Sequence, residues 1–563
     1  MTAVEETRGS LVRQQALQRL GSGGCFDLLV VGGGATGLGV ALDAASRGLS
    51  VALVERDDFA KGTSSRATKL VHGGVRYLAQ GNVSLVKEAL RERKVLLRNA
   101  PHLAQPLPFL VPAYGLKGRL WDRPFYGAGL KLYDLLAGEA GLGDTEFLGR
   151  RAAIDVMPGV RGDGLVGAVR YWDGQFDDAR LALALARTAA ARGAVVLNHC
   201  PVSALLHADG KVSGASVTDA ESGRRIDVRA RCIVNATGVW VDELRRMDIN
   251  ADSHMVSPSQ GIHLVVDREF LPGDHALLEP KTDDGRVLFA VPWLGKVLLG
   301  TTDTPRDRIE SEPTPLSEEV DFILAEAGKV LARTPTSDDV RSVWGGVRPL
   351  VKPVEGVAGG TQRISREHTV IVDRSGLVTV TGGKWTTYRA MAEDVIDRCV
   401  EVGLIAPVGP CRTMDLPLVG APATVSHRLS DPPGAHLYGD EASLLDDLPG
   451  AQHELGLGLT EAMVRFAVRH EAARTVEDIL ARRSRVLFLD AQMADALAEE
   501  VAVLMADELG RDVEDLAVFR TLAEHYRRLP GSVRQASHGA SLRSGHEAVS
   551  RRPEDRKSPQ PGL

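Results

Sequence analysis

FDLLVVGGGATGLGVALDAASRGLSVALVE, residues 26–55, decides how the chain begins to fold. FDLLVV is a short apolar run of the kind that forms a buried strand, and GGGATG (32–37) interrupts it. GLGVALDAASRG then carries helical spacing, and VALV (51–54) is a second apolar run ending on Glu55. Strand, glycine turn, helix, strand and acid make a complete dinucleotide-binding unit, with Glu55 lying 23 residues beyond Gly32. Gly32 permits the tight turn, Gly34 lets backbone approach a pyrophosphate, and Gly37 lets helix and strand pack closely. The helix start offers free N–H groups and partial positive charge to phosphates. Glu55 is placed to accept from a ribose hydroxyl, which argues against a 2′-phosphorylated cofactor. GDGLVG (162–167) fits the same glycine pattern, but it follows a loop and runs into AVRYWDG with no helix, so it reads as structural.

One such unit serves NAD or FAD. NAD enzymes need a similar second half close behind. Here a polar stretch follows instead, GTSSRATKLVHGGVRYL (62–78), crowding Arg66, Lys69, Arg76, several hydroxyls, His72 and a glycine pair together. A core tolerates that density of charge only if something negative sits among it. Two further strand–glycine units point back to the same site. RCIVNATGVWVDEL (231–244) reads as a strand ending on Ala236-Thr237-Gly238. LVTVTGGKWTTYRAMAEDVIDRC (377–399) reads as strand, Gly-Gly turn and helix. That helix start and Lys384 would stabilise negative charge on a reduced flavin. Together they favour FAD.

The 563 residues exceed one core and imply two to four domains. With 44% apolar and 25% charged residues the composition is that of a soluble globular protein. A net charge of −7 gives no general attraction to nucleic acid, so any anion site must be built locally. The five cysteines (25, 200, 232, 399, 411) show no CxxC and no metal-like spacing, and read as reduced, mostly buried thiols of a cytosolic protein. The first twenty residues lack an apolar signal core, and no run of about eighteen apolar residues occurs. Residues 1–24 read as an extension, and the Ser-, Gly- and Arg-rich tail 531–563 as disordered.

GTSSRATKLVHGGVRYL, YWDGQFDDARL (171–181), GRVLFAVPWLGKVLLGTTDT (285–304), GGVRPL (345–350), SREHTV (365–370) and GGKWTTYR (382–389) resemble the FAD-dependent glycerol-3-phosphate dehydrogenases. RFAVRHEAARTVEDILARRSRVLFLD (465–490) resembles their C-terminal helical domain. The resemblance runs from about 25 to 530, with one departure at Ala67, where the family often has serine; Ser64, Ser65 and Thr68 would supply the hydroxyls. It implies an α/β fold: an FAD-binding Rossmann-like domain of the glutathione-reductase or D-amino-acid-oxidase kind, with an inserted antiparallel substrate sheet and a C-terminal α-helical domain. Flavin segments are expected at about 25–105, 171–240 and 345–400, substrate segments at 106–170 and 241–344, and the helical domain at 412–530. The implied reaction oxidises sn-glycerol 3-phosphate to dihydroxyacetone phosphate and passes electrons to a membrane quinone. The implied cofactor contacts are Gly32, Gly34, Gly37, Glu55, Thr63, Ser64, Ser65, Thr68, Lys69, His72, Gly73, Ala236, Thr237, Gly238, Gly383, Lys384 and Thr386.

The chemistry agrees. A small phosphate dianion in an acidic protein needs several fixed cations, and Arg76, Arg348, Arg366 and Lys384 are the candidates. Arginine suits the task because its planar fork meets two phosphate oxygens. Arg348 lies among glycines, valine and proline, whereas Arg366 sits beside Glu367 as a ready partner. Oxidation at C2 also needs a base near neutrality. His263, in the strand-like GIHLVVD, is assigned that role, and His72, before Gly73-Gly74, flavin contact at a flat ring. Tyr77 is a candidate hydrogen-bond donor to the substrate.

Residues 91–135 hold eight Lys and Arg (Arg91, Arg93, Lys94, Arg98, Lys117, Arg119, Arg123, Lys131) against three acids, with Trp121, Phe125 and Tyr126 interleaved. That mixture suits an anionic leaflet at the inner face of the plasma membrane, or else a solvated loop region. A homodimer is a compatible assembly. The arginines of 461–488 read as a solvated basic helix face. Three rivals remain. An oxygen-using oxidase of the family would carry an extra segment, and none is evident between His263 and Arg348. An FAD-dependent amine or amino-acid oxidase would need a single carboxylate-binding arginine. A flavin sensor without turnover would not need the full catalytic set.

Overall fold

The computed structural model describes residues 9–74, 82–248, 255–351 and 368–531. Arg76, Tyr77, Arg366, the first eight residues and the tail beyond Gly531 lie outside the described residues. In chain order come helix α1 (Arg13–Leu20), strand β1 (Cys25–Val31), α2 (Ala35–Ser46), β2 (Val51–Val54), β3 (Leu70–Val71) and α3 (Val83–Asn99). Then follow β4 (Ala104–Tyr114), α4 (Arg123–Ala137), β5 (Glu146–Gly149), β6 (Leu165–Phe176), α5 (Asp178–Ala191), β7 (Val195–Leu197), β8 (Val202–Ala208), β9 (Lys211–Thr218) and β10 (Arg225–Asn235). After α6 (Val241–Asp248) lie β11 (Val256–Asp267), β12 (Ala276–Glu279), β13 (Leu288–Trp293), β14 (Lys296–Gly300), β15 (Thr304–Pro305) and α7 (Ser317–Val330). The rest is β16 (Ser342–Val351), β17 (His368–Val372), β18 (Val378–Gly382), α8 (Tyr388–Glu401), α9 (Glu461–His470), α10 (Ala491–Leu509) and α11 (Leu516–Arg527).

The apolar runs of β1, β2 and β10 are buried on both faces, as parallel strands between layers must be. They form the centre of a sheet ordered β17-β18-β10-β1-β2-β7, extended by β8 and β9. Leu28, Val30, Leu53 and Val234 pack on one side against Leu38 of α2, Leu185 of α5 and Val395 of α8. Leu29, Val31, Val54 and Ile233 pack on the other side, with Leu20 of α1 and Leu244 of α6. Gly32 and Gly37 fit the tight turn and close packing expected of them: Gly32 has φ +114°, and a Cβ there would lie 2.5 Å from the Ala236 carbonyl oxygen. A Cβ on Gly37 would lie 1.9 Å from the Gly32 carbonyl oxygen, so helix and strand meet without a side chain between them. GDGLVG, the control, leads into strand β6 and no helix.

The second sheet has ten strands, ordered β15-β11-β14-β13-β12-β4-β6-β3, with β16 on β11 and β5 on β6. It is antiparallel except where β4 and β12 run parallel. Period-two alternation along β11 sends Ile262, Leu264 and Val266 to the layer holding α7, and His263 and Val265 to the opposite face. The expected segment boundaries shift: all of β6 and all of β16 belong to this sheet, so residues 171–176 and 345–351 build the second sheet rather than the flavin sheet. Those strands pair over long registers with β4 and β11, and alternation within one strand does not reveal which sheet it joins.

From 412 to 531 the chain is mainly helical, with one short strand pair at Glu454–Gly456 and Leu459–Thr460, and the arginines of 461–488 do not form one solvated face, although Arg469 is exposed. Arg482, Arg483 and Arg485 are buried. Arg482 and Arg483 both bind the Asp58 carboxylate, Arg482 also reaches Asp478 at 2.9 Å, and Arg485 reaches Asp178 at 3.2 Å. Arg180 joins Glu471 at 2.8 Å, and Arg187 joins Glu441 at 2.6 Å. Arg482, Arg483 and Arg485 are taken up by Asp58 and Asp178 of the flavin domain, and Arg180 and Arg187 of α5 by Glu471 and Glu441 of the helical region, so pairs of both polarities fix that region onto the flavin domain. All five cysteines are free, with Cys25 exposed and Cys200, Cys232 and Cys399 buried. No helix among the described residues is long and apolar enough to cross a membrane.

Removing one partner of a buried pair strands the other charge. Asp58→Asn, which leaves Arg482 and Arg483 without their shared carboxylate, should lower the unfolding free energy by about 3–5 kcal/mol in urea denaturation. A loss below about 1 kcal/mol would put this cluster in the class of exposed pairs.

Candidate active site

One cavity of about 420 Å³ runs from the glycine turn, past the carboxyl ends of β1, β2, β10 and β18, to the face of β11 and β16. At its dinucleotide end α2 starts with Gly34 as N-cap and no side-chain cap of its own. The N–H of Ala35 donates instead to Ser64 Oγ, at 2.9 Å. Glu55 lines the cavity, but its carboxylate already takes backbone donors: Gly33 N–H at 2.6 Å on Oε2 and Asp57 N–H at 2.9 Å on Oε1. It therefore ties the glycine turn to the end of β2. Burial raises its carboxyl above the ordinary range against the pull of those two donors. Trp240 also lines this end, with the Arg56 guanidinium 4.8 Å from its ring centre. The sequence reading passed over Trp240, although it lies two residues beyond Gly238.

Further along, Ala236, Thr237 and Gly238 follow β10 into the cavity wall. Thr237 Oγ1 donates to Asn235 Oδ1 at 2.7 Å, fixing the turn. Strand β18 ends in Gly382 and Gly383, at φ +80° and +71°. A Cβ on Gly383 would lie 2.4 Å from Met391 Sδ. Lys384 follows on the cavity wall, and Trp385 Nε1 donates to the Ser64 carbonyl at 2.8 Å, joining the two loops. His72 and Thr386 lie on the same wall, 3.5 Å apart from carbonyl to hydroxyl. Two glycine turns, two helix starts and the end of β10 thus converge on one cavity, and this donor set fits the pyrophosphate and isoalloxazine of FAD.

The other end is built by sheet alternation. On β11, Ser259, Gly261 and His263 face the cavity side, opposite Arg348, Gly346 and Trp344 of β16. The His263 imidazole stacks on Trp344, with centroids 4.4 Å apart, and its Nε2 is 3.0 Å from Thr68 Oγ1. Gly300 is required opposite it, because a Cβ there would lie 2.4 Å from His263 Cδ2. Burial, and then the charges of Lys69 and Arg348, push this imidazole well below its ordinary pKa, so it is neutral at pH 7. The Arg348 guanidinium lies over Gly261, donating from Nη2 to the Thr302 carbonyl at 3.0 Å and to Thr301 Oγ1 at 3.2 Å. Asp303 Oδ1 lies 3.3 Å from Nη1. These anchors leave the fork at the cavity wall with a fixed orientation.

Several expected contacts are placed elsewhere. Lys69 is fully buried and does not reach the cavity: its ammonium donates to Asp178 Oδ1 and Oδ2 at 2.8 and 2.7 Å. Ser65 is buried too, and its carbonyl accepts from Lys69 Nζ at 2.7 Å. Gly73 does not line the cavity, and a Cβ there would lie 2.4 Å from Tyr133 Oη and 2.7 Å from Leu90 Cδ2. Thr63 and Thr68 line the cavity, with Thr63 Oγ1 donating to the Val347 carbonyl at 2.6 Å. Arg66, assigned nothing from the sequence, donates to the Gly345 carbonyl at 3.0 Å and pairs with Glu312 at 2.5 Å, joining the polar loop to β16.

Fold and cavity together define an FAD-dependent oxidoreductase, and the family model of that description, FAD dependent oxidoreductase, matches residues 27–397. A second model, the C-terminal domain of alpha-glycerophosphate oxidase, matches residues 411–516. The chain is 42% identical over 524 residues to the mitochondrial glycerol-3-phosphate dehydrogenase of Homo sapiens, covering 86% of this chain and 71% of that one. It is 37% identical to that of Saccharomyces cerevisiae, covering 88% of each. A solved glycerol-3-phosphate dehydrogenase from Bacillus halodurans, complexed with FAD, superposes with a TM-score of 0.72 at 30% identity, covering 92% of this chain and 98% of that chain. The chain belongs to the FAD-dependent glycerol-3-phosphate dehydrogenase family.

Proposed function

We propose that the protein oxidises sn-glycerol 3-phosphate at C2 to dihydroxyacetone phosphate and passes the electrons to a membrane quinone. One observation carries this reading. A neutral histidine and an oriented arginine share one face of β11 and β16, where the FAD cavity ends. FAD would be held by the two glycine turns and would supply the acceptor for the C2 hydride. His263 takes the C2 hydroxyl proton, and Thr68, 3.0 Å from Nε2, holds the ring in register with the substrate. Arg348 takes the phosphate, since its anchors leave it charged and fixed in direction. Lys384 is a further cation of the wall, and Arg76, Tyr77 and Arg366, proposed from the sequence as substrate contacts, lie outside the described residues. The printed names of the relatives support this choice of phosphoester.

The amphipathic surface around α4 supports membrane contact. Gly127, Leu130, Tyr133 and Ala137 point inward. Outward stand Phe125, Leu132 and Leu135, with Leu116 and Leu120 in the turns before the helix, all exposed. Lys117 and Lys131 lie exposed among them. Apolar side chains ringed by lysines fit an anionic leaflet, which is where a quinone would be met.

Anaerobic mixing with sn-glycerol 3-phosphate should bleach the flavin absorbance of the FAD-loaded protein. His263→Gln should slow that bleaching by at least about 100-fold. Arg348→Met should raise the half-saturating substrate concentration at least about tenfold. Bleaching of the His263→Gln protein within about threefold of wild type would remove His263 as the base. Flotation with anionic liposomes tests the surface: Phe125→Ser, Leu132→Ser and Leu135→Ser together should leave the protein at the bottom of the gradient. Undiminished flotation would move the contact elsewhere.

A further inference from the structure

Behind the site lies a buried knot of charge that the reaction as described does not use. Lys69 donates to both oxygens of Asp178 and to the Ser65 carbonyl. Arg485, arriving from the C-terminal region at φ +68°, donates to the same carbonyl at 2.9 Å and lies 3.2 Å from the same carboxylate. All three charged side chains are fully buried. Asp177, also fully buried, lies 3.9 Å from Arg485 (Oδ1 to Nε), so the knot holds two carboxylates and two cations, and burying these charges costs several kcal/mol of desolvation that apolar side chains would avoid. Stability alone is a poor reason for this arrangement.

The position of the knot suggests another reason. The Lys69 ammonium lies 4.8 Å from the ring centre of Trp344, on which His263 stacks at 4.4 Å. Thr68, the residue before Lys69, makes the contact to His263 Nε2. Ser65 is two residues from Thr63, whose hydroxyl binds the β16 carbonyl next to Arg348. The threonine and the indole both meet the histidine, and Lys69 lies behind both.

We propose that Lys69 is a positioning residue for the reaction: anchored by Asp178 and the Ser65 carbonyl, it fixes Thr68 and Trp344 against the His263 imidazole and sets a positive charge behind that ring. The inference rests on the reading of His263 as the base. The charged groups facing His263 are Lys69, leading into β3, and Arg348 on β16. Those facing Lys69 are Asp177 and Asp178 at the start of α5, and Arg485. Burial and Arg485 hold the Lys69 amine down to about 7, against Asp178. Because His263 titrates well below 6.5, Lys69 is cationic throughout the range in which the histidine loses its base form. The lysine charge then opposes protonation of the imidazole and extends base function to lower pH.

The test is the pH profile of anaerobic flavin bleaching by sn-glycerol 3-phosphate, with bound FAD measured for each protein. Lys69→Gln keeps a hydrogen-bond donor but no charge. Its acid limb should move to higher pH by about half a unit. Its limiting rate should fall about tenfold, with the half-saturating substrate concentration within about twofold of wild type. Lys69→Arg, which keeps the charge, should leave the limb in place. A Lys69→Gln protein with the wild-type limb overturns the proposal. A Lys69→Gln protein unable to hold FAD does so too, by making the lysine a framework residue only. Failure of the underlying reading looks different: wild-type flavin that does not bleach, or an acid limb that survives in His263→Gln.

Discussion

The approach of β1 to β10 without an intervening side chain sets the rest of the molecule. A Cβ on Gly32 would lie 2.5 Å from the Ala236 carbonyl oxygen, so only glycine lets the two strand ends stand side by side. Their adjacency opens the crevice at the carboxyl edge of a parallel sheet, where the helix start of α2 and the turns after β10 and β18 can serve one ligand. The polar loop then has a fixed floor to rest on. Ser64 bonds the start of α2, Trp385 bonds Ser64, and Arg66 carries the loop across to β16. The second sheet is thereby set against the cavity, with His263 and Arg348 on the face that lines it.

Charge organises the boundaries between these parts. Asp58, Asp178, Glu441 and Glu471 each hold arginines that are distant in sequence, and nearly all of these groups are buried. Such pairs contribute little net stability relative to well-packed apolar contacts, but they tolerate no sliding, because a shift of a few ångströms strands a charge. An enzyme that must hold an imidazole, a guanidinium and a cofactor in mutual register needs that intolerance. The neutral state of His263 has the same origin: a dry site with two fixed cations nearby disfavours a third positive charge.

The dinucleotide unit was legible because each part is local. Apolar run, glycine spacing, helical period and terminal acid lie within 26–55, and no distant residue is needed to interpret them. That His263 and Arg348 would face a pocket was legible for a related reason, since strand alternation and apolar neighbours restrict where such side chains can point, and both line the cavity. Lys69, Ser65 and Gly73 do not line the cavity, and the sequence could not show this, because a polar side chain finds its partner within the protein as readily as on a ligand. For Lys69 the partner is Asp178, 109 residues away and buried, and spacing along the chain says nothing about it. The arginines of 482–485 went astray in the same way, toward Asp58 and Asp178 rather than water. Glu55 lines the cavity as expected, and its oxygens also take one backbone N–H each, a structural task the sequence spacing did not reveal. The sheet boundaries were hidden because β6 and β16 look like strands of either sheet.

A crystal structure of the FAD-loaded protein with dihydroxyacetone phosphate tests the central claim most directly. The expected result is a phosphate on the Arg348 guanidinium, with the C2 oxygen within hydrogen-bond reach of His263 and the C2 carbon over the flavin ring. A ligand bound away from β11 and β16, or one whose C2 oxygen lies out of reach of His263, would contradict it.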